Sequence, residues 1–335
     1  MSVFVTGGSG LVGRELVRHL VADGHHVTAL ARTANAARVL VNLGVPDIVE
    51  GTVLDRDALA TGMADAEMVY HVAGVNAFCQ ADPGPMFLAN IEGSRRVAEV
   101  AAEQDVGRLV YTSSASAVGE IKGTVGSETS RHRGEYLSDY EKSKHLAEQA
   151  VRVVAERTGL DVVHVLPSSV QGPGRAGGTA KLLLDVVNGS LPAIVDSRLS
   201  IIDIVDCAKG HLLAGERGQA GQRYLLSGAT MTVSEGVDML GRLGGVELDV
   251  RVLPGSVVLG GVTVVEALER LRGRRPKFCR EMVRTLLHGH AYDGSKASRE
   301  LGLRYTPVED TIVRTMRWFD AQGLLRRELP GLQAA

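Results

Sequence analysis

The chain opens on Val3-Phe4-Val5-Thr6, an apolar run that reads as a buried strand, and passes at once into Thr6-Gly7-Gly8-Ser9-Gly10-Leu11-Val12-Gly13. An amphipathic stretch comes next, with helical periodicity. A strand, a glycine-rich loop and a helix in that order leave few folds open. Gly7 permits the tight turn, Gly10 lets backbone approach a pyrophosphate, and Gly13 lets the helix pack close to the sheet. The helix N-terminus presents unpaired N–H groups and a partial positive charge to phosphates. The loop therefore predicts a dinucleotide site, with Gly7, Ser9, Gly10, Leu11, Val12 and Gly13 as its phosphate contacts.

The rest of the N-terminal half repeats the same alternation. Strands are expected at His26–Ala31, Met68–Ala73, Arg108–Ser113 and Asp161–Leu166, and helices at Gly10–Asp23, Met86–Gln104 and Leu137–Thr158. Continuous apolar strands separated by helices predict a parallel sheet covered on both faces. Right-handed crossovers make it an α/β, doubly wound Rossmann sheet. After Pro167 the pattern loosens into Gly-Pro turns, two further strands (Ser200–Asp203, Arg223–Leu226) and helices Ile204–Glu216, Thr232–Leu243, Val257–Arg272, Lys277–His288 and Val308–Gln322. This predicts a cofactor domain over 1–170, with 199–227 returning to it. A smaller, mostly helical substrate lobe is made from 171–198 and 228–335.

Composition narrows the partners. Over 335 residues the net charge is −2, and no basic stripe of the kind a nucleic-acid binder carries is present. The longest uncharged apolar run, Ser256 to Val265, is too short to span a bilayer and is expected to be a tightly packed helix start. Neither nucleic acid nor membrane is expected as a partner. Cys79, Cys207 and Cys279 are far apart and odd in number, which predicts a reduced, cytoplasmic protein without a disulfide framework. The ten histidines lack metal-ligand spacing, so no metal is expected and they are read as loop and surface residues.

The T-G-x-x-G-x-x-G spacing of the first loop resembles the extended and atypical branches of the short-chain dehydrogenase/reductase family, and later motifs extend the likeness over nearly the whole chain. Relatives that bind NAD carry an acidic residue at the end of the second strand. Here that position is Ala31, followed by Arg32, whose guanidinium suits a 2′-phosphate, with Arg38 assisting. The resemblance thus implies NADP (NADPH). Gly51-Thr52-Val53-Leu54-Asp55 falls where relatives carry G-D-x-x-D. Val53 is placed at the adenine, while Thr52 replaces the first acid and Asp55 is left as a cap for the next helix. His71-Val72-Ala73-Gly74 matches a strand end where small residues, Ala73 and Gly74, let the cofactor lie across the sheet. Asn90 matches a position that braces the central strands, and a purely structural role fits it equally well.

The chemistry is carried by Tyr140-Glu141-Lys142-Ser143-Lys144. On a helix, residues four apart share a face. A free tyrosine titrates near pH ~10, and a neighbouring ammonium favours its phenolate. Upstream, Tyr111-Thr112-Ser113-Ser114-Ala115-Ser116 ends a strand and resembles the family's S-S-x-x-x-Y-G, with Val118 at the tyrosine position. By that match Ser114 is the catalytic serine, and Ser113 and Ser116 stay open. Pro167 and Val170 resemble the strand end that lines the nicotinamide. The resemblance implies an oxidoreductase that reduces a ketone or aldehyde on a small-molecule carbonyl substrate, with Ser114, Tyr140 and Lys144 as its triad and Tyr140 as proton donor. Leu199, where a phosphate-binding arginine is common in sugar-nucleotide enzymes, favours the dihydroflavonol-reductase-like branch. The alternatives are a nucleotide-sugar epimerase or dehydratase with bound NAD(P), and a non-catalytic NADP-binding protein. A homodimer through the helices Met86–Gln104 and Leu137–Thr158 is expected.

Overall fold

The computed structural model describes residues 1–276 and 278–333. The strands are β1 (Ser2–Thr6), β2 (His26–Ala31), β3 (Asp47–Glu50), β4 (Met68–His71), β5 (Arg108–Thr112), β6 (Val162–Pro167), β7 (Ser169–Gln171), β8 (Ala193–Ile194), β9 (Arg198–Asp203), β10 (Arg223–Leu226), β11 (Ala229–Thr232) and β12 (Arg251–Val252). The helices are α1 (Leu11–Ala22), α2 (Ala34–Asn42), α3 (Arg56–Met63), α4 (Gly84–Phe87), α5 (Gly93–Glu103), α6 (Asp139–Thr158), α7 (Thr179–Val187), α8 (Ile204–Arg217), α9 (Val233–Gly244), α10 (Gly255–Leu271), α11 (Arg280–His288), α12 (Val308–Ala321) and α13 (Pro330–Gln333). A 7-stranded sheet runs in the order β10-β6-β5-β4-β1-β2-β3, and every pairing in it is parallel. The chain order reverses beside β1, which places the ligand crevice at the carboxyl ends of β1 and β4.

Alternation along each strand builds a core on both faces. Val3 and Val5 of β1 pack with Leu16 and Leu20 of α1 and Ala208 and Ala214 of α8. Phe4, between them, faces the other way, toward Leu59 and Met63 of α3 and Val97 and Ala101 of α5. In β5, Val110 joins the first face, and Leu109 and Tyr111 join the second with Val151 and Val154 of α6. This is the period-two rule of a strand acting on a sheet covered twice. At the other end of the chain, α7, α9 and α12 enclose a separate apolar cluster around Val187, Val237, Leu240 and Met316.

The doubly wound sheet and the helical C-terminal elements agree with the sequence reading, with local differences. The expected helix Met86–Gln104 is three pieces, with a π-helical turn at Leu88–Glu92 between α4 and α5. Strand β9 pairs with β7 and β11 in a separate 3-stranded sheet instead of joining the main one. The expected helix start at Lys277 lies outside the described residues, and α11 begins at Arg280. Helix α10 is not tightly packed: none of its residues is buried, and Val257, Val264 and Leu271 stand exposed.

The cysteine expectation is overturned. Cys79 and Cys279 form a disulfide, with Cα atoms 5.6 Å apart and 200 residues between them in sequence, and only Cys207 is free. Distance along the chain said nothing about distance in the fold. Several histidines are also not on the surface: His71, His164, His211 and His288 are buried. Among the described residues no helix is long and apolar enough to cross a membrane.

Candidate active site

The glycine loop shows why those positions hold glycine. Gly7 has φ +74°, and a Cβ there would lie 2.5 Å from the Ala73 nitrogen. A Cβ on Gly13 would lie 2.1 Å from the Gly7 carbonyl oxygen. Gly10 is the N-cap of α1 with extended backbone and no side-chain cap, so the first-turn N–H groups of Leu11, Val12 and Gly13 face the crevice without a competing ligand. Ser9 gives its carbonyl to the Arg14 guanidinium at 2.8 Å. Beneath the loop, Thr6 Oγ1 lies 2.6 Å from His71 Nδ1, and His71 Nε2 lies 2.9 Å from Ser94 Oγ. Burial holds that imidazole down at about 3, with the Lys144 charge pushing the same way. It is therefore a neutral strut between β1, β4 and α5.

Asn90 is 1% exposed and fully used. Its Oδ1 accepts from Val75 N at 2.7 Å, and its Nδ2 donates to Val75 O at 2.9 Å and Ser143 Oγ at 2.8 Å. Ser143 Oγ in turn donates to the Tyr140 carbonyl at 2.7 Å. One amide thus ties the loop after β4 to the helix that carries Tyr140. A Cβ on Gly74 would sit 3.6 Å from Asn90 Oδ1 and 3.8 Å from Lys144 Nζ, so Gly74 and Ala73 floor the approach to the lysine. Val53 packs against Gly93 at the start of α5, where an added Cβ would lie 2.5 Å from Val53 Cγ2. Asp55 caps α3 by accepting from Ala58 N at 3.1 Å. Pro167 ends β6, and Val170 lies in β7 against the core of the sheet.

Ser114 and Tyr140 meet where β5 ends and α6 begins, and Lys144 follows one turn along α6. Ser138 caps α6 by accepting from Glu141 N at 3.1 Å, which brings Tyr140 into the first turn. Lys144 is 4% exposed and donates from Nζ to the Thr112 carbonyl at 2.7 Å. Burial lowers its ammonium to about 8, against the opposing charge of Glu148. Tyr140 is raised by burial, and the hydroxyl of Ser114 and the charge of Arg175 pull it back down. Ser114 and Ser116 hydroxyls are 2.9 Å apart. Ser113, left open by the sequence, donates to Glu148, which also pairs with Arg223 at 2.6 Å, so its hydroxyl is committed elsewhere. Glu141, next to Tyr140, is buried and paired with Arg133.

Phe78, Arg175 and Thr112 were not legible as site residues. The Phe78 ring lies 6.1 Å from that of Tyr140, and Arg175 acts on the tyrosine through charge. No motif marks either residue. Thr112 contributes a carbonyl, which any residue could supply. The buried Glu120 gathers two histidines of the C-terminal segment: His290 Nδ1 lies 2.6 Å from Glu120 Oε1, and His288 Nε2 lies 3.1 Å from the Glu120 carbonyl. This polar latch joins the loop after the serine strand to the end of α11 and the residues that follow it.

The model of the NAD dependent epimerase/dehydratase family matches residues 3–227. A curated relative, a "putative dihydroflavonol 4-reductase" of Synechocystis sp., is 31% identical over 97% of this chain and 96% of its own. The solved structure of gox2253 is 30% identical, with a TM-score of 0.85 over 97% of this chain and 99% of that one. The dTDP-glucose 4,6-dehydratase DesIV of Streptomyces venezuelae, solved with NAD and TYD bound, shares the fold at 23% identity, with a TM-score of 0.77 over 97% and 99%.

The expectation of NADP does not stand. DesIV and the UDP-glucuronic acid 4-epimerase of Bacillus cereus, two solved structures of this fold, hold NAD. In this chain the expected cation pair does not converge: Arg32 is exposed, and the Arg38 guanidinium turns to Asn35 Oδ1 at 3.4 Å. With a glycine cradle on β1, a match that starts on the same strand, and a relative of nearly equal length at 31% identity, the chain belongs to the NAD dependent epimerase/dehydratase family.

Proposed function

We propose that the chain is an NAD-dependent enzyme acting at the carbon of a secondary alcohol or the matching carbonyl, of the epimerase/dehydratase type. The observation that supports this is the Ser114 hydroxyl beside Tyr140, with the buried Lys144 one helical turn further on and close to Gly74 of the cradle. The loop suits the group: Gly7 and Gly13 let it close on the Ala73 backbone and on itself, where a Cβ would clash, and the uncapped α1 N-terminus is left open to phosphates. Gly7, Ser9, Gly10, Leu11, Val12 and Gly13 would hold the pyrophosphate, Val53 the adenine, and Ala73, Gly74, Pro167 and Val170 the nicotinamide side. Bound NAD supplies a hydride acceptor and donor at the substrate carbon.

The chain's own residues move the proton. Ser114 hydrogen-bonds the substrate oxygen, and the Tyr140 hydroxyl exchanges a proton with it. Lys144, anchored on the Thr112 carbonyl, keeps positive charge near the tyrosine and the cofactor ribose. Asn90, through Ser143, fixes the turn of α6 on which Tyr140 rides. Positioned proton transfer of this kind contributes roughly 10²–10⁴-fold.

The same step serves two net reactions. In an epimerase or dehydratase the cofactor returns to its starting state each cycle, and the family match supports this use. Net carbonyl reduction is a second reading, supported by Leu199 at the usual phosphate-binding arginine position and by the reductase name of the Synechocystis relative. Screening nucleotide sugars, ketones and aldehydes with catalytic and with stoichiometric NAD(H) separates them. Product in excess of cofactor supports the first, and one NADH consumed per product supports the second. No turnover of any of these classes would overturn both. The substrate would bind between the parallel sheet and the segments 171–198 and 228–335. A homodimer through the segment Met86–Gln104 and α6, where Leu88 and Val153 stand exposed, belongs to the same proposal and is tested by light scattering.

A further inference from the structure

Helices α10 and α11 form a cap with little hold on the hydrophobic core, against which Leu286 of α11 packs. Helix α10 buries none of its residues, and α11 buries only Val283 and His288. The cap is fastened to the rest of the chain largely by discrete links, and several meet on the segment after β4. Cys279, the N-cap of α11, is bonded to Cys79. Glu281 accepts from Cys79 N at 3.2 Å and, with its other oxygen, from Asp139 N at 2.8 Å, at the start of the helix that carries Tyr140. Arg275 donates to the Phe78 carbonyl at 2.9 Å. Cys79 is held at φ +59°, a left-handed conformation that is unfavourable for a non-glycine residue and persists where the surroundings enforce it. Its neighbour Phe78 is the aromatic ring beside Tyr140.

We propose that Phe78 is a wall of the substrate mouth over Tyr140, and that the Cys79–Cys279 disulfide is the positioning element that keeps it there. Reduction by a dithiol opens the wall: the protein S–S bond breaks, two protein thiols form, and the reductant becomes a disulfide. Cys79 then relaxes, Phe78 leaves the tyrosine, and the cap opens as a local unit. Among the described residues these links run to Cys79, Asp139 and Phe78 and not to the glycine loop, Ser114 or Lys144, so the proposal leaves cofactor binding unaffected. Substrate held by the wall is held less well in ground and transition state alike, which raises KM and leaves kcat nearly unchanged.

The inference rests on Tyr140 as the proton-transfer group, and its test separates the two. Thiols of the denatured chain are alkylated before and after reduction, and intact mass is read. One reactive thiol before and three after is expected; three before reduction would overturn the proposal. Amide hydrogen exchange is then followed in residues 76–80 and in α11, for the native chain and for C79S/C279S. About tenfold faster exchange in the variant is expected, and equal rates would overturn the proposal without any assay of turnover. Finally, C79S/C279S and F78A should each raise the KM of whichever substrate the screen identifies by about tenfold, with NADH binding unchanged. Faster exchange with an unchanged KM would remove Phe78 from the substrate wall. Loss of the Tyr140 dependence of turnover would instead sink the functional reading and leave the exchange result standing.

Discussion

Replacing Asn90 with alanine tests how the site is held. The side chain makes three hydrogen bonds, two to the backbone of Val75 and one to Ser143, and it is 1% exposed. Water cannot easily replace it, so the variant leaves the Val75 N–H and C=O without partners. A buried group left so costs about 1–3 kcal/mol, and because Val75 itself is half-buried water recovers part of this, which puts the loss at about 2–4 kcal/mol with the Ser143 contact. For a chain of this size that lowers Tm by on the order of 3–6 °C, read by calorimetry or urea unfolding. The damage should reach function, because Ser143 is the link from Asn90 to the Tyr140 carbonyl. Turnover is expected to fall even at temperatures where the variant is folded. A Tm within about 1 °C of the parent would mean that Val75 and α6 are held by something else, and the bracing argument would fail.

Three further outcomes come from the same geometry. Arg133→Ala strands the buried Glu141 carboxylate and should cost about 3–5 kcal/mol, while Arg133→Met with Glu141→Leu should recover much of that loss, measured by urea unfolding. Lys144 titrates near 8 in the folded chain, below the ordinary ammonium value, so between the two values the unfolded chain binds more protons and stability rises with pH. The parent should therefore gain stability relative to Lys144→Met as pH climbs through and above about 8, and parallel pH profiles would refute this. NAD should bind more tightly than NADP, and Arg32→Ala should change the NAD Kd by less than about threefold; a large, NADP-selective loss by calorimetry would contradict the assignment.

The sheet was legible because its signals are local. Val3–Thr6, His26–Ala31 and Arg223–Leu226 are short apolar runs bounded by turns, and burial on both faces demands such runs. Strand β3 and helix α2 escape the sequence reading, and helix α3 enters it only as the helix that Asp55 caps. Asp47–Glu50 is four residues at the sheet edge with no buried position, and so carries little hydrophobic signal. Tyr140 and Lys144 could be paired because helical spacing alone places them on one face. The family match picked Ser114 but left Ser113 and Ser116 open, and the contact that commits Ser113 to Glu148 is one that sequence does not show. The disulfide, Phe78 and Arg175 depend on contacts between segments remote in the chain, which no spacing rule reaches. Arg32 misled because its identity suited a phosphate, whereas its exposed position and the turn of Arg38 toward Asn35 leave no converging pair of cations.

The central claim is that Tyr140 carries the proton, and Tyr140→Phe tests it most directly. The substitution removes one hydroxyl and keeps the ring beside Phe78, so fold and NAD affinity should be retained. Turnover should be measured on the substrate found by screening nucleotide sugars, ketones and aldehydes, alongside NADH binding by fluorescence. The account expects a loss of roughly 10²–10⁴-fold in turnover with the NADH Kd unchanged. Near-native turnover in the variant would show that another group supplies the proton, and the site assigned to Ser114, Tyr140 and Lys144 would have to be abandoned.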